Sequence, residues 1–143
     1  AGVRWTNYKY CAGTKNTLTK YNDSSSYGMV DNKNVLEPND DAATVLLEDG
    51  WRMPTQQECE ELLSKCWGYA GSYGVKIYNE QGLALLIPLG GDDGSYQGWY
   101  WSSSGSGLRA KVMGFNIDGN YVELGVGEKL RPATLPIRPV KDK

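Results

Sequence analysis

The chain has 143 residues, 15 basic and 17 acidic side chains, and a net charge of −2. That length fits a single domain, residues 1–143, able to bury roughly 68–70% of its unfolded surface, so folding requires neither a metal nor a disulfide. The balanced charge argues against a nucleic-acid binder, the lack of an apolar run of about 18 residues leaves no membrane span, and the absence of histidine removes Ser–His and Cys–His nucleophile pairs and His-containing metal sites.

Residues 1–36 are polar, aromatic and turn-rich, so they are expected to wrap over a core supplied by the rest. Leu18–Tyr21 is expected as a short strand. Asn39-Asp40-Asp41-Ala42-Ala43 predicts a helix start just after Pro38, with Asn39 or Asp40 as N-cap and Ala42, Ala43, Val45, Leu46 and Leu47 as the buried side. Asp49-Gly50 supplies a left-handed stop. The clearest helix is 55–66. Thr55 and Glu58 have capping-box spacing, and Cys59, Leu62, Leu63 and Cys66 form an apolar stripe with Glu61 and Lys65 paired outside.

Beyond residue 67 the pattern turns to strands. Gly82–Leu89 is a continuous apolar run, expected as a central strand. Trp99-Tyr100-Trp101 predicts a short aromatic strand. Residues 109–117 and 120–126 flank Asp118-Gly119, a hairpin signal. Residues 135–140 predict a last, edge-like strand because Pro136 and Pro139 cannot donate to a ladder. Two short helices followed by several strands give an α+β fold with a twisted, mainly antiparallel sheet and long loops.

Several motifs invite chemistry. Glu37-Pro38-Asn39 matches a tripeptide of calcium-dependent lectins, but one acid and one amide do not fill a calcium shell, and helix entry explains it. Asp92-Asp93 reads as a solvated loop tip. Glu58, Glu60 and Glu61 read as a solvated helix face. Neither Gly90-Gly91 nor Gly125-Val126-Gly127 is followed by the residues of a phosphate loop. Cys11, Cys59 and Cys66 leave one thiol over; they read as small buried hydrophobes, with a bridge from Cys11 to Cys59 or Cys66 as the alternative. Arg52 and Arg138, each beside proline, are expected to fix turns by bonding carbonyls or a carboxylate. Trp51 and Trp101 are expected in the core. Trp99 faces away from Tyr100, and with Tyr96 and Tyr121 it forms a candidate exposed aromatic patch. No metal and no cofactor is called for.

The strings Leu18-Thr19-Lys20-Tyr21-Asn22, Asp31-Asn32-Lys33, Leu36–Ala43, Trp51-Arg52-Met53-Pro54-Thr55 and Tyr100-Trp101-Ser102-Ser103-Ser104, with Ala110, Phe115, Arg131 and Ile137-Arg138-Pro139-Val140, resemble the major paralogous domain first noted in Fibrobacter and abundant in Bacteroidetes. The resemblance covers nearly the whole chain and implies a C-type lectin-like fold, usually without calcium. One branch holds the variable proteins of diversity-generating retroelements, in which the C-terminal region is a hypervariable ligand-binding face. Thr134 stands where that pattern usually carries glycine.

On that resemblance, residues 95–140 form the display region. Ala110, Met113 and Phe115 point inward, while Val112 and Gly114 point outward and vary. The implied contact residues are Tyr96, Trp99, Ser106, Leu108, Arg109, Val112, Gly114, Asn116, Asn120, Tyr121 and Glu123. The implied function is a non-catalytic binding module for a protein or glycan ligand on a cell surface. Its location would be extracellular, on a cell or on a virion, as in phage tropism. A carbohydrate-binding lectin of a gut bacterium, an adhesion function, is the alternative. A formylglycine-generating type of enzyme needs a reactive cysteine pair, whereas Cys59 and Cys66 fit the buried helix stripe. No oligomeric state follows. The abrupt start at Ala1-Gly2 is that expected of a trimmed or mature chain, so the lack of a visible signal peptide carries no weight.

Overall fold

A computed structural model describes residues 4–71, 73–88, 97–119 and 121–142 of the chain. Chain order runs through single 3-10 turns at Trp5–Asn7 and Ser25–Tyr27, then α1 (Ala42–Leu46), β1 (Trp51–Arg52) and α2 (Gln56–Lys65). It continues with β2 (Trp67–Gly71), β3 (Gly74–Tyr78), β4 (Ala84–Pro88), β5 (Gln97–Ser106), β6 (Arg109–Asp118), β7 (Tyr121–Leu130) and β8 (Val140–Lys141). The fold is α+β, with two short helices and antiparallel strands. Those strands divide into three sheets, β1-β8, β2-β3-β4 and β5-β6-β7.

Local chemistry sets α2. Thr55 accepts from the Glu58 N–H while the Glu58 carboxylate accepts from the Thr55 N–H, so the capping box is closed in both directions. Cys59 is buried, and Leu62, Leu63 and Cys66 pack against the same core as Val75, Ile77, Ile87, Tyr100, Met113 and Phe115. Glu61 and Lys65 pair on the outer side. All three cysteines are free thiols. Burial in the core pushes the Cys59 thiol up to about 11, which keeps it protonated and inert near neutral pH.

α1 departs from expectation. Its N-cap is Asp41, whose carboxylate accepts from Ala43 at 2.9 Å and Thr44 at 3.0 Å. The same group accepts the Met53 N–H at 2.9 Å. One buried carboxylate therefore starts the helix and anchors the residue after β1, a double duty that Asn39 and Asp40 do not perform. Of the expected buried side only Ala43 is buried; Leu46 is 79% exposed. The helix is too short to turn both flanks inward, and the left-handed pair Asp49 and Gly50 falls after its end.

The N-terminal segment holds bridges where a strand was expected at Leu18–Tyr21. Leu18 pairs singly with Cys11 and with Gly28. The β4 strand lies at a sheet edge, with β3 in the centre. Its alternating burial reflects a strand covered on one face only. The expected strand over 135–140 shrinks to Val140–Lys141, because Pro136 and Pro139 interrupt donation. Trp51, expected in the core, is 39% exposed beside the Lys141 ammonium. Arg52 meets its expectation: its guanidinium grips Glu58 at 2.6 and 2.8 Å and Asp142 at 2.7 Å. Arg138, expected to act likewise, has no hydrogen bond or ion pair among the described residues.

The Trp101–Gly105 stretch is an irregularity in the β5–β6 ladder. Three serines there turn to other partners. Ser103 N–H donates to Pro54 O at 2.8 Å and its carbonyl accepts from Leu36 N–H at 2.9 Å. Ser104 Oγ accepts from Gln56 N–H at 3.0 Å, and Ser102 Oγ donates to Lys111 O at 2.9 Å. This bulge welds the long C-terminal strands to the N-terminal half.

Candidate functional site

The β5-β6-β7 sheet has two unlike faces. Paired residues share a face, so register sorts them. One face carries Tyr100, Met113, Phe115, Ile117, Val122, Leu124 and Val126 against α2 and β3. Tyr100 Oη donates to Pro88 O at 2.6 Å, and burial pushes its phenol up. The other face carries Gln97 and Trp99 of β5, Val112, Gly114 and Asn116 of β6, and Tyr121, Glu123, Gly125, Gly127 and Lys129 of β7.

That second face mixes an indole with glycines and polar side chains. The Trp99 indole lies across the strands over glycines. A Cβ added at Gly114 would sit 2.2 Å from Trp99 Cε3, and one at Gly127 would sit 3.5 Å from Trp99 Cζ3. Gly125 has nothing within 4 Å of its Cβ position, leaving open floor beside the ring. Interior strand glycines weaken a sheet and commonly mark close approach of a ligand or another chain. Lys129 Nζ stands 4.8 Å from the Trp99 ring, and the indole N–H donates to Gln97 Oε1 at 3.3 Å. Toward the β6–β7 turn, Asn116, Tyr121 and Glu123 follow, with Tyr121 69% exposed. The Asp118–Tyr121 pair closes that hairpin, so β6 runs one residue past the start of the Asp118-Gly119 turn signal.

The expected contact residues therefore divide. Trp99, Asn116, Tyr121 and Glu123 stand together on this face. Tyr96 and Asn120 lie outside the described residues, as does the Asp92-Asp93 loop. Val112, expected to point outward and vary, is on this face but fully buried. Its cross-strand partner is Trp101, and Trp99 shares its face one pair along, so two indoles cover it. Gly114 cannot vary either, since Trp99 occupies the space of any side chain. Ala110, expected inward with Met113 and Phe115, has the opposite parity and shares the face of Val112.

Ser106, Leu108 and Arg109 sit at the other end of the β5–β6 ladder. Ser106 and Arg109 pair there with the parity of the core face, and Ser106 Oγ donates to Asp23 at 2.6 Å. They do not join the Trp99 set. Sequence reasoning missed Gln97, Gly125, Gly127 and Lys129. The signal was present, since Tyr121, Glu123, Gly125, Gly127 and Lys129 alternate at the strand period.

The face offers an indole, a phenol, an amide, a carboxylate and an ammonium, and brings together no nucleophile–base pair among the described residues. No described helix is long and apolar enough to cross a membrane. Comparison with known proteins returns no match, whether to a family model, a curated protein or a solved structure.

Proposed function

We propose that the chain is a non-catalytic ligand-binding module, in which a C-type lectin-like frame of the Fibrobacter and Bacteroidetes type presents the Trp99 face of β5-β6-β7 to a protein ligand on a cell surface. The observation that carries this reading is the division of labour across one sheet. One face is core, while the other combines a glycine floor with Trp99, Asn116, Tyr121 and Glu123. Side chains at Asn116, Tyr121 and Glu123 share the face away from the main core, where change should cost the fold little. That freedom is what a diversified face of a retroelement variable protein needs. The module acts outside the cell, on a bacterial or virion surface.

The experiment is an array of bacterial surface proteins and glycans probed with the wild-type chain and with the Trp99→Ala/Tyr121→Ala double variant. Protein hits that vanish in the variant support the proposal; hits that persist at full strength contradict it. A second reading, a carbohydrate-binding lectin, draws on the exposed Tyr121 ring and the indole beside an open floor. On the same array it requires glycan hits sensitive to Trp99→Ala. A reverse transcriptase gene beside a template copy of residues 95–140 that differs only at adenines would establish diversification, and its absence would remove that part.

A further inference from the structure

A separate cavity of about 220 Å³ lies between the N-terminal segment and the serine bulge of β5. Its walls include Tyr8, Tyr10, Tyr21, Leu36, Trp101 and Ala110, with Asn34, Asp40 and Arg131 as polar members. Asn34 is exposed, which gives the cavity a mouth. An apolar cavity of about 150 Å³ accepts benzene in another protein, so this one has room for a single ring with a substituent.

The charge of the wall is unbalanced. Arg131 is nine-tenths buried, yet no carboxylate lies within ion-pair distance of it among the described residues. It donates to Tyr8 Oη at 2.9 Å and to the carbonyls of Tyr21, Gly107 and Lys20 at 3.0, 2.9 and 3.1 Å. The Tyr8 and Tyr21 rings lie 5.2 and 5.9 Å from its guanidinium carbon. These four bonds use four of its five N–H donors.

Asp40, the one carboxylate in the wall, is already committed. It takes Lys9 at 3.1 Å, Lys20 at 2.6 Å and the Tyr21 hydroxyl at 2.6 Å. Those bonds, that of Lys20 foremost, hold its carboxyl far below the usual range. Glu37 is likewise taken by Lys20 and Lys33. Lys9 and Lys20 thus face Asp40 and Glu37, and Lys33 faces Glu37 and nearby Asp31, which leaves Arg131, the cation of the wall, without a carboxylate partner among the described residues. The Trp101 indole N–H and the Asn34 amide have no hydrogen-bond partner among the described residues. The cavity therefore has spare donors, a surplus cation and aromatic walls.

We infer that this cavity binds a flat, single-ring organic carboxylate, its ring between the tyrosines and Trp101 and its anion toward Arg131. The cavity lies at the far end of the same sheet face, since Trp101 and Ala110 share the parity of Val112, but binding here does not rest on ligand binding at Trp99. The test is an amide NMR titration of the whole chain with benzoate, and with benzamide and benzylamine as neutral and cationic controls. The expected result is saturable benzoate binding, with both controls at least about ten-fold weaker. Ala110→Met, which fills the cavity, should weaken benzoate by a similar factor while the amide spectrum stays folded. Leu36→Phe serves as the second filling variant if Ala110→Met does not fold. Absence of saturable benzoate binding at millimolar concentration overturns the inference. So does equal affinity for benzamide, and so does benzoate binding that survives filling but is lost in Trp99→Ala.

Discussion

The N-terminal half and the C-terminal sheet hold their shapes by different means. From Tyr8 to Thr55 the backbone has little regular structure, and buried polar side chains route it. Asp31 takes the N–H groups of Tyr21 and Asn22 at 2.9 Å each. Fully buried Asn22 donates to the carbonyls of Ser24 and Met29. Asp41 ties α1 to Met53, and Arg131 ties the tyrosine loops to Gly107. Each of these side chains satisfies several backbone groups, so each is irreplaceable where it stands. In the C-terminal sheet, outside the β5 bulge, the backbone is held by the β5-β6-β7 ladder, and the main core lies on one face. The difference teaches where variation should be tolerated: at exposed positions beside a ladder on the face away from the core, and not at the buried polar side chains that route the other half.

The strongest way to break this comparison is Arg131→Met. It orphans three carbonyls and the Tyr8 hydroxyl at once and is expected to cost about 4 kcal/mol, read by urea denaturation. A loss below about 1 kcal/mol would mean the routed half does not depend on it.

Gly114→Ala comes next and marks a limit on substitution across the Trp99 face. The new Cβ meets Trp99 Cε3 at 2.2 Å and Gly98 O at 2.6 Å. The expected penalty is about 2 kcal/mol, with a red-shifted tryptophan emission as the indole is pushed toward water. An unchanged emission spectrum and unfolding midpoint would show that the glycine floor does not seat the ring.

The smallest effect is a pH dependence at the edge of the routed half. The hydrogen bonds from Arg52, with help from the Thr55 N–H, lower Glu58 from 4.5 to about 2 against the opposing effect of burial. A depressed carboxylate pKa adds stability that is complete above the unfolded value and is lost as pH falls through the folded one. The contribution should therefore be full above about pH 5 and fade toward pH 2, and solvent exposure of the pair limits it to about 1 kcal/mol. In Glu58→Gln the slope of stability between pH 5 and 2 should flatten; an unaltered slope would remove the pair from the account.

The two halves also differed in how far their sequence could be read. α2 was legible because its cap, stripe and outer pair all lie within twelve residues. The β6–β7 hairpin was legible from alternation and a turn signal, though β6 runs one residue past the start of that signal. The routed half was not legible, because its determinants are remote. Arg131 and Tyr8 are 123 residues apart, and nothing local to either announces the other. Val112 misled for a related reason. Strand period gave its face correctly, but the indoles that bury it come from the neighbouring strand. The cavity was invisible for the same reason, since its walls come from residues 8 to 137.

The most direct test of the central claim is saturation mutagenesis of residues 97–130 with folded yield on a display surface as the readout. Asn116, Tyr121 and Glu123 should accept nearly all substitutions, charged and bulky ones included. Tyr100, Val112, Met113, Gly114 and Phe115 should accept few. Intolerance at Asn116, Tyr121 and Glu123 equal to that of the core positions would contradict the claim that this face is free for recognition.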